Sequence, residues 1–374
     1  MKIYSKQNVY EKALERIEFL FNEYDEVVVN YSGGKDSIVI FELAYKIAKK
    51  LDRLPLSVLF IDQEAEWTYT IEMVEHVMRN PDVKPYWFQM PLKIENATSF
   101  KEKYLYCWGE GEEWLREKAD ISIKENTYDF EWWLENGRSI FGEIIKKEFK
   151  GIKQCCLTGV RAEESPNRYI GLTSAPTYKW ITWGTKNGFK DNHFSFHPLY
   201  DWSYGDVWKA IHENGWKYNK IYDLQYQYGV ALNRMRVSNL HHETAVNALF
   251  YLQEVDGDLY NKLTKRLDGV DMAGKLGKDD YYVKKLPFMF ATWQEYRDYL
   301  LDKLVDDEDW RRGLDKFIKK HDEMYIGNEQ RLNASAKVVV SSIICNDYAM
   351  TKFANFNRQS HLDKRNIRLN GLDK

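Results

Sequence analysis

Residues 32–37 read Ser-Gly-Gly-Lys-Asp-Ser, and the segments on either side decide what this hexapeptide can be. Before it, Glu26-Val27-Val28-Val29-Asn30-Tyr31 is a β-branched run typical of a strand buried in a parallel sheet. After it, residues 38–50 have helical spacing and a basic last turn. A strand–loop–helix junction puts the loop at the carboxyl end of a strand, where open α/β sheets bind ligands. Two glycines let the backbone approach an anion closely. The free N–H groups and macrodipole of the following helix favour that anion. Lys35 adds a cation, and Ser32 and Ser37 add hydroxyl donors. Asp36 would repel an anion, so it points to Mg²⁺ or to orientation of the lysine. The loop is not a Walker A loop, because Asp36 stands where that pattern has Ser or Thr. The plainer reading is a Gly-Gly turn opening a charged helix. A given hexapeptide has a chance expectation on the order of 10⁻⁵ in a chain of this size, from average residue frequencies.

The alternation continues around the loop. Residues 9–24 have helical periodicity, Leu56 to Ile61 is a second buried strand, 66–79 a helix, and Pro85 to Gln89 a third strand. This predicts a doubly wound, mostly parallel sheet covered on both faces. Residues 92–137 break the pattern with Trp108, Trp114, Trp132 and Trp133 among many charges. They read as an insertion packed by aromatics, with base stacking as the functional alternative. A helix at 138–150, a strand at 152–158, a polar loop at 159–168 and strands at 178–183 and 193–200 follow. Helices are expected at 203–214, 219–228, 241–254, 291–304 and 309–320. The expected division is a nucleotide-binding α/β domain over 1–215 and a mainly helical C-terminal domain over 216–374. Residues 269–282 read as a lid or a solvated connector, and the stretch from 351 as polar and loosely ordered.

Composition excludes several classes. Lys+Arg number 54 and Asp+Glu 57, a net charge of −3, which argues against whole-chain electrostatic binding to nucleic acid. An aromatic fraction of 15% marks a folded chain. No run approaches the ~18 apolar residues of a membrane span. The first twenty residues lack an apolar signal core, so a cytoplasmic chain is expected. Cys107, Cys155, Cys156 and Cys345 form no C-x-x-C pair and read as reduced, buried thiols. His241-His242-Glu243 invites a metal reading, but adjacent side chains on a helix diverge by about 100°. Polar or helix-start roles fit better, with substrate contact as the alternative.

Two further positions stand at expected strand ends. Arg161 shares its loop with Glu163, Glu164, Ser165 and Arg168. Its guanidinium can grip a phosphate or sulfate through two parallel hydrogen bonds, or pair with a neighbouring glutamate. Asp62 can accept from a ribose hydroxyl or an adenine amino group, support a metal, or cap the 66–79 helix.

Ser32 to Ser37 resembles the pyrophosphate loop of the N-type ATP pyrophosphatases. Phe60-Ile61-Asp62, Thr158-Gly159-Val160-Arg161-Ala162-Glu163-Glu164-Ser165 and His197-Pro198-Leu199-Tyr200-Asp201-Trp202 with Asp206-Val207-Trp208 narrow the resemblance to the phosphoadenosine phosphosulfate reductase family. Met235 to Ala245 and Gly277 to Tyr282 resemble the branch that includes the immunoglobulin-binding regulator A proteins, often encoded beside a ParB-like protein.

The resemblance implies an adenine nucleotide alpha hydrolase-like fold that binds ATP or a related adenine nucleotide with Mg²⁺. It implies catalytic roles for Lys35, Asp36 and Arg161, with Mg²⁺ on Asp36. Nucleotide contacts would come from Ser32, Gly33, Gly34, Lys35, Asp36, Ser37, Asp62, Gly159, Arg161 and Ser165. The implied chemistry is cleavage of the α–β bond of ATP with adenylyl transfer. Sulfonucleotide reduction is the alternative, yet the family's C-terminal E-C-G cysteine motif is absent. A non-catalytic nucleotide sensor acting with a ParB-like partner is the third reading.

Overall fold

The computed structural model describes residues 6–357 apart from 100–101, 129, 132–133, 136–137, 188–192, 243–244, 272–284, 349, 351 and 354–355. Trp132, Trp133, Glu243, most of the 269–282 loop and most of the C-terminal stretch therefore lie outside the described residues.

Backbone contacts divide the chain into two units. The first is Met1–Ile94 with Tyr106–Asn239, and the second is Glu95–Leu105 with Leu240–Lys374. The first unit thus extends past the expected 215, because the segment after that position binds the glycine loop, as described below.

In the first unit, helix α1 (Val9–Glu23) leads to strand β1 (Glu26–Asn30), α2 (Lys35–Lys50), β2 (Leu56–Ile61), α3 (Thr68–Met78) and β3 (Val83–Phe88). Strands β4 (Leu92–Glu95) with β5 (Tyr104–Cys107), and β6 (Leu134–Glu135) with β7 (Arg138–Ser139), form two small sheets. Then come α4 (Ile140–Glu148), β8 (Gln154–Leu157), α5 (Pro166–Thr173), β9 (Gly184–Asn187), β10 (His193–Phe196), α6 (Tyr204–Asn214) and α7 (Ile221–Gln227). The main sheet has the order β3-β2-β1-β8-β10-β9. All neighbours are parallel except β9, which runs antiparallel on the edge. The doubly wound expectation holds. The expected strand at 178–183 is instead a turn closed by a Tyr178–Ile181 bridge, with Lys179 at φ 50°, and the sixth strand starts at Gly184.

The order reverses between β1 and β8, so the crevice beyond their carboxyl ends is the topological switch point. Val27, Val28 and Val29 of β1 and all of β8 are buried, as a central parallel strand requires. The Pro198–Trp202 motif anchors this core. Asp201 takes two hydrogen bonds of 2.7 Å from Arg16 of α1, and the Trp202 indole donates to the Val9 carbonyl at 3.1 Å. Ser203 and Asp206 form a reciprocal capping box that starts α6.

The second unit contains helices α8 (Val246–Val255), α9 (Gly257–Arg266), α10 (Trp293–Leu304), α11 (Glu308–Met324) and α12 (Glu329–Ile344). Trp293, Leu300, Trp310, Leu314, Phe317, Val339 and Ile343 pack into its core. Among the described residues no helix is long and apolar enough to cross a membrane.

Candidate nucleotide site

The glycine loop closes on itself before it meets any ligand. Ser37 Oγ accepts from the Ser32 backbone N–H at 3.1 Å and donates to the Gly34 carbonyl at 2.9 Å. Gly33 sits at φ +66°, a region that glycine enters without strain. Gly34 occupies the N-cap of α2 with no side-chain cap, so the first-turn donors of that helix are not claimed by an N-cap side chain.

The charged residues converge at this helix start. One Asp36 oxygen lies 3.0 Å from Lys35 Nζ, and the other lies 2.5 Å from Arg161 Nε. Arg161 comes from the loop after β8, so the two sides of the switch point meet here. Its guanidinium is 95% shielded and also reaches Glu163 at 3.3 Å and Glu164 at 3.7 Å. The ion-pair reading of Arg161 is thus observed with Glu163 and Glu164, and the same side chain also pairs with Asp36 of the glycine loop. Gly159 is close enough that an added Cβ would stand 2.6 Å from the Asp36 backbone carbonyl.

Two of the expected site residues are engaged in hydrogen bonds within the fold. Asp62 is buried, with one oxygen accepting from the Trp87 indole at 3.1 Å and Gln89 at 3.0 Å. The other accepts from Arg116 and from the Glu64 backbone N–H. Its carboxylate is taken up by β3, Gln89, its own turn and Arg116 of the 106–123 segment. Trp108 of that segment is fully buried and donates to the Asp62 carbonyl at 2.7 Å, the packing role expected of the insertion. Ser165 caps α5, accepting from the Arg168 backbone N–H at 3.2 Å.

Residues just beyond α6 complete the loop and carry only a faint sequence signal, an asparagine among aromatics. The Asn219 amide donates to the Gly33 carbonyl at 3.1 Å and to Thr70 Oγ1 at 3.0 Å. The Tyr222 hydroxyl accepts from the Lys35 backbone N–H at 3.2 Å. Burial, its largest cause, pushes the Tyr222 phenol above the usual range. Lys35 Nζ lies 5.3 Å and 5.7 Å from the ring centroids of Tyr222 and Tyr204, within cation–π range.

Two of the histidines are buried and hydrogen-bonded. His197 sits between Thr158 Oγ1 at 2.5 Å and Thr185 Oγ1 at 3.3 Å, and burial lowers its pKa to about 4, so it is neutral. In the second unit His241 Nδ1 lies 2.9 Å from the Glu95 carbonyl, and burial lowers its pKa to about 4. Among the described residues no group of three His, Cys, Asp or Glu side chains could hold a metal ion.

All four cysteines are buried. Burial pushes the thiols of Cys155 and Cys156 well up, opposite to what a nucleophile needs. Cys345 is the C-cap of α12, the helix end whose dipole disfavours a thiolate.

Residues 26–228 match the phosphoadenosine phosphosulfate reductase domain. The chain belongs to that family. Residues 229–372 match a second family, described as a domain of unknown function, DUF3440. The chain is similar to the uncharacterized protein YbdN of Escherichia coli, 28% identical over 316 residues, covering 80% of this chain and 76% of that one. An uncharacterized protein of Methanocaldococcus jannaschii is 27% identical over 279 residues, covering 74% of this chain and only 54% of its own length. Among solved structures, a phosphoadenylyl-sulfate reductase of Candida auris aligns at 16% identity and a TM-score of 0.34, covering 64% of this chain and 98% of that one.

Proposed function

We infer that the first unit binds ATP, or a closely related adenine nucleotide, in the β1/β8 crevice and transfers its adenylyl group with release of pyrophosphate. The observation that carries this reading is the convergence of Lys35 and Arg161 on one carboxylate at an uncapped helix N-terminus. Two cations and the first turn of a helix at one point suit a polyphosphate whose charge grows as a bond breaks. An acceptor oxygen would attack the α-phosphorus while the bridging oxygen leaves with pyrophosphate. Lys35 and the first-turn N–H groups would hold the departing group, and Arg161 would orient the phosphate chain.

Mg²⁺ fits this site without a dedicated protein cage. Mg²⁺ is commonly held by one or two carboxylates plus substrate phosphates, and Asp36 is the carboxylate that faces the loop. When bound, the ion would neutralise phosphate charge.

The buried cysteines speak against sulfonucleotide reduction, whose thiolate must reach its substrate. A sensor role beside a ParB-like protein rests on resemblance alone. The deciding experiment is to incubate the pure protein with Mg-ATP and separate the products. AMP and pyrophosphate are expected; ADP as the main product would overturn the reading.

A further inference from the structure

Beside the glycine loop lies a cavity of about 590 Å³, entirely within the first unit. That is the size range of small-molecule pockets. Its walls are Tyr204 and Trp208 of α6, Trp216 and Tyr218 of the connection, and Tyr222 and Tyr226 of α7. Tyr204 with Trp208, and Tyr222 with Tyr226, are pairs four residues apart, so each helix turns two rings toward one side. Trp208 meets Tyr218 at 5.4 Å and Tyr222 at 5.3 Å, with rings nearly perpendicular at 88° and 87°. A perpendicular pair uses the face of only one of its rings, which leaves π-surface for a third.

The cavity is graded from floor to mouth. Tyr222 and Met235 are buried, whereas Tyr226 is 66% exposed at the rim. Polar groups are few: His212 and Asp223 line the wall, and the Tyr218 hydroxyl donates to the Asp223 carboxylate at 3.0 Å. Tyr204 and Tyr222 are also the rings nearest Lys35 Nζ, so the floor of the cavity and the cationic cluster share two side chains.

We propose that this cavity binds a planar heteroaromatic ring of nucleobase size as a second substrate, held between aromatic side chains and against the two tyrosines that also flank Lys35. Six aromatic side chains offer a planar ring stacking contact in addition to the burial that any apolar ligand would gain. A planar ring with polar edges matches both the stacking surfaces and the isolated polar groups at the wall. Its role as the adenylyl acceptor rests on the reading above, whereas its binding does not. The ring could be a free nucleoside or part of a single-stranded RNA, since the recognising chemistry is the same.

The test uses the full chain without ATP and pyrrolocytidine, a fluorescent pyrimidine nucleoside, as the probe. Saturable quenching is expected, with uridine competing and the non-planar dihydrouridine failing to compete. Tyr226→Ala, at an exposed rim position, should weaken the probe by about 5- to 150-fold, the range for loss of one stacking partner. Trp208→Ala should do the same; if it fails to fold, Tyr226→Ala decides. Tighter binding of a pyrrolocytidine-containing RNA hexamer than of the nucleoside would identify RNA as the source, and equal binding the free nucleoside. Absence of quenching, unchanged affinity in Tyr226→Ala, or displacement of the probe by ATP would overturn the assignment. AMP formation without probe binding would leave adenylyl transfer standing and remove the cavity's role.

Discussion

Arg161 Nε lies 2.5 Å from Asp36 Oδ1 across 125 residues of chain, while Asp36 Oδ2 lies 3.0 Å from its neighbour Lys35. One carboxylate therefore holds two cations at the start of α2. On the proposed reading an incoming polyphosphate would offer both a stronger anion, and Asp36 would keep them aligned until it binds.

Lys35→Ala removes one of those cations while leaving α2 its N–H donors. A charge-assisted phosphate contact contributes roughly 1.5–3 kcal/mol, so nucleotide binding or turnover should fall about 10- to 150-fold. Thermal unfolding should remain cooperative. A well-folded variant with unchanged binding would sink the site.

Gly159→Ala places a methyl 2.6 Å from the Asp36 backbone carbonyl, where no flexible side chain can yield. Overpacking of this kind costs about 1–3 kcal/mol. Urea unfolding should show a lower midpoint, and nucleotide affinity should fall with it because α2 is pushed from the Arg161 loop. An unchanged midpoint would show that the two loops are not in contact.

No single thiol should be indispensable. Cys107→Ser and Cys345→Ser are expected to retain whatever nucleotide activity the wild type shows, and phosphoadenosine phosphosulfate with thioredoxin should yield no sulfite. Replacing Cys155 and Cys156 with Ala should lower stability through lost packing in β8, which is fully buried. Sulfite release that depends on any one cysteine would restore the reductase reading.

Glu66 gives a pH signature. Burial, reinforced by the Asp62 charge, raises its carboxyl to about 8 from 4.5. The unfolded chain ionises this group above ~4.5 while the native state keeps the proton. Its contribution to stability is therefore full below pH 4.5 and is lost as pH rises towards 8. Glu66→Gln keeps a neutral side chain at every pH. Relative to wild type it should gain stability steadily between pH 5 and 8, by up to several kcal/mol. Parallel stability curves for the two proteins over that range would show that Glu66 is already ionised when folded.

The strand–loop–helix around residues 26–50 was legible because its signals are local: a β-branched run, two glycines, then helical periodicity. Those signals placed Ser32–Ser37 at the carboxyl end of β1, and strand–helix alternation supplied the parallel sheet. Arg161 stood out because it follows a buried strand within the Thr158–Ser165 loop. Other roles depended on contacts that no short-range pattern reports. Asp62 closes its strand as expected, but Trp87, Gln89 and Arg116 claim its carboxylate. Asn219 and Tyr222 reach back 186 and 187 residues to Gly33 and Lys35. Side-chain type and strand ends set which residues could form a site. Only packing between distant segments decided which of them face the crevice and which spend their hydrogen bonds holding the fold.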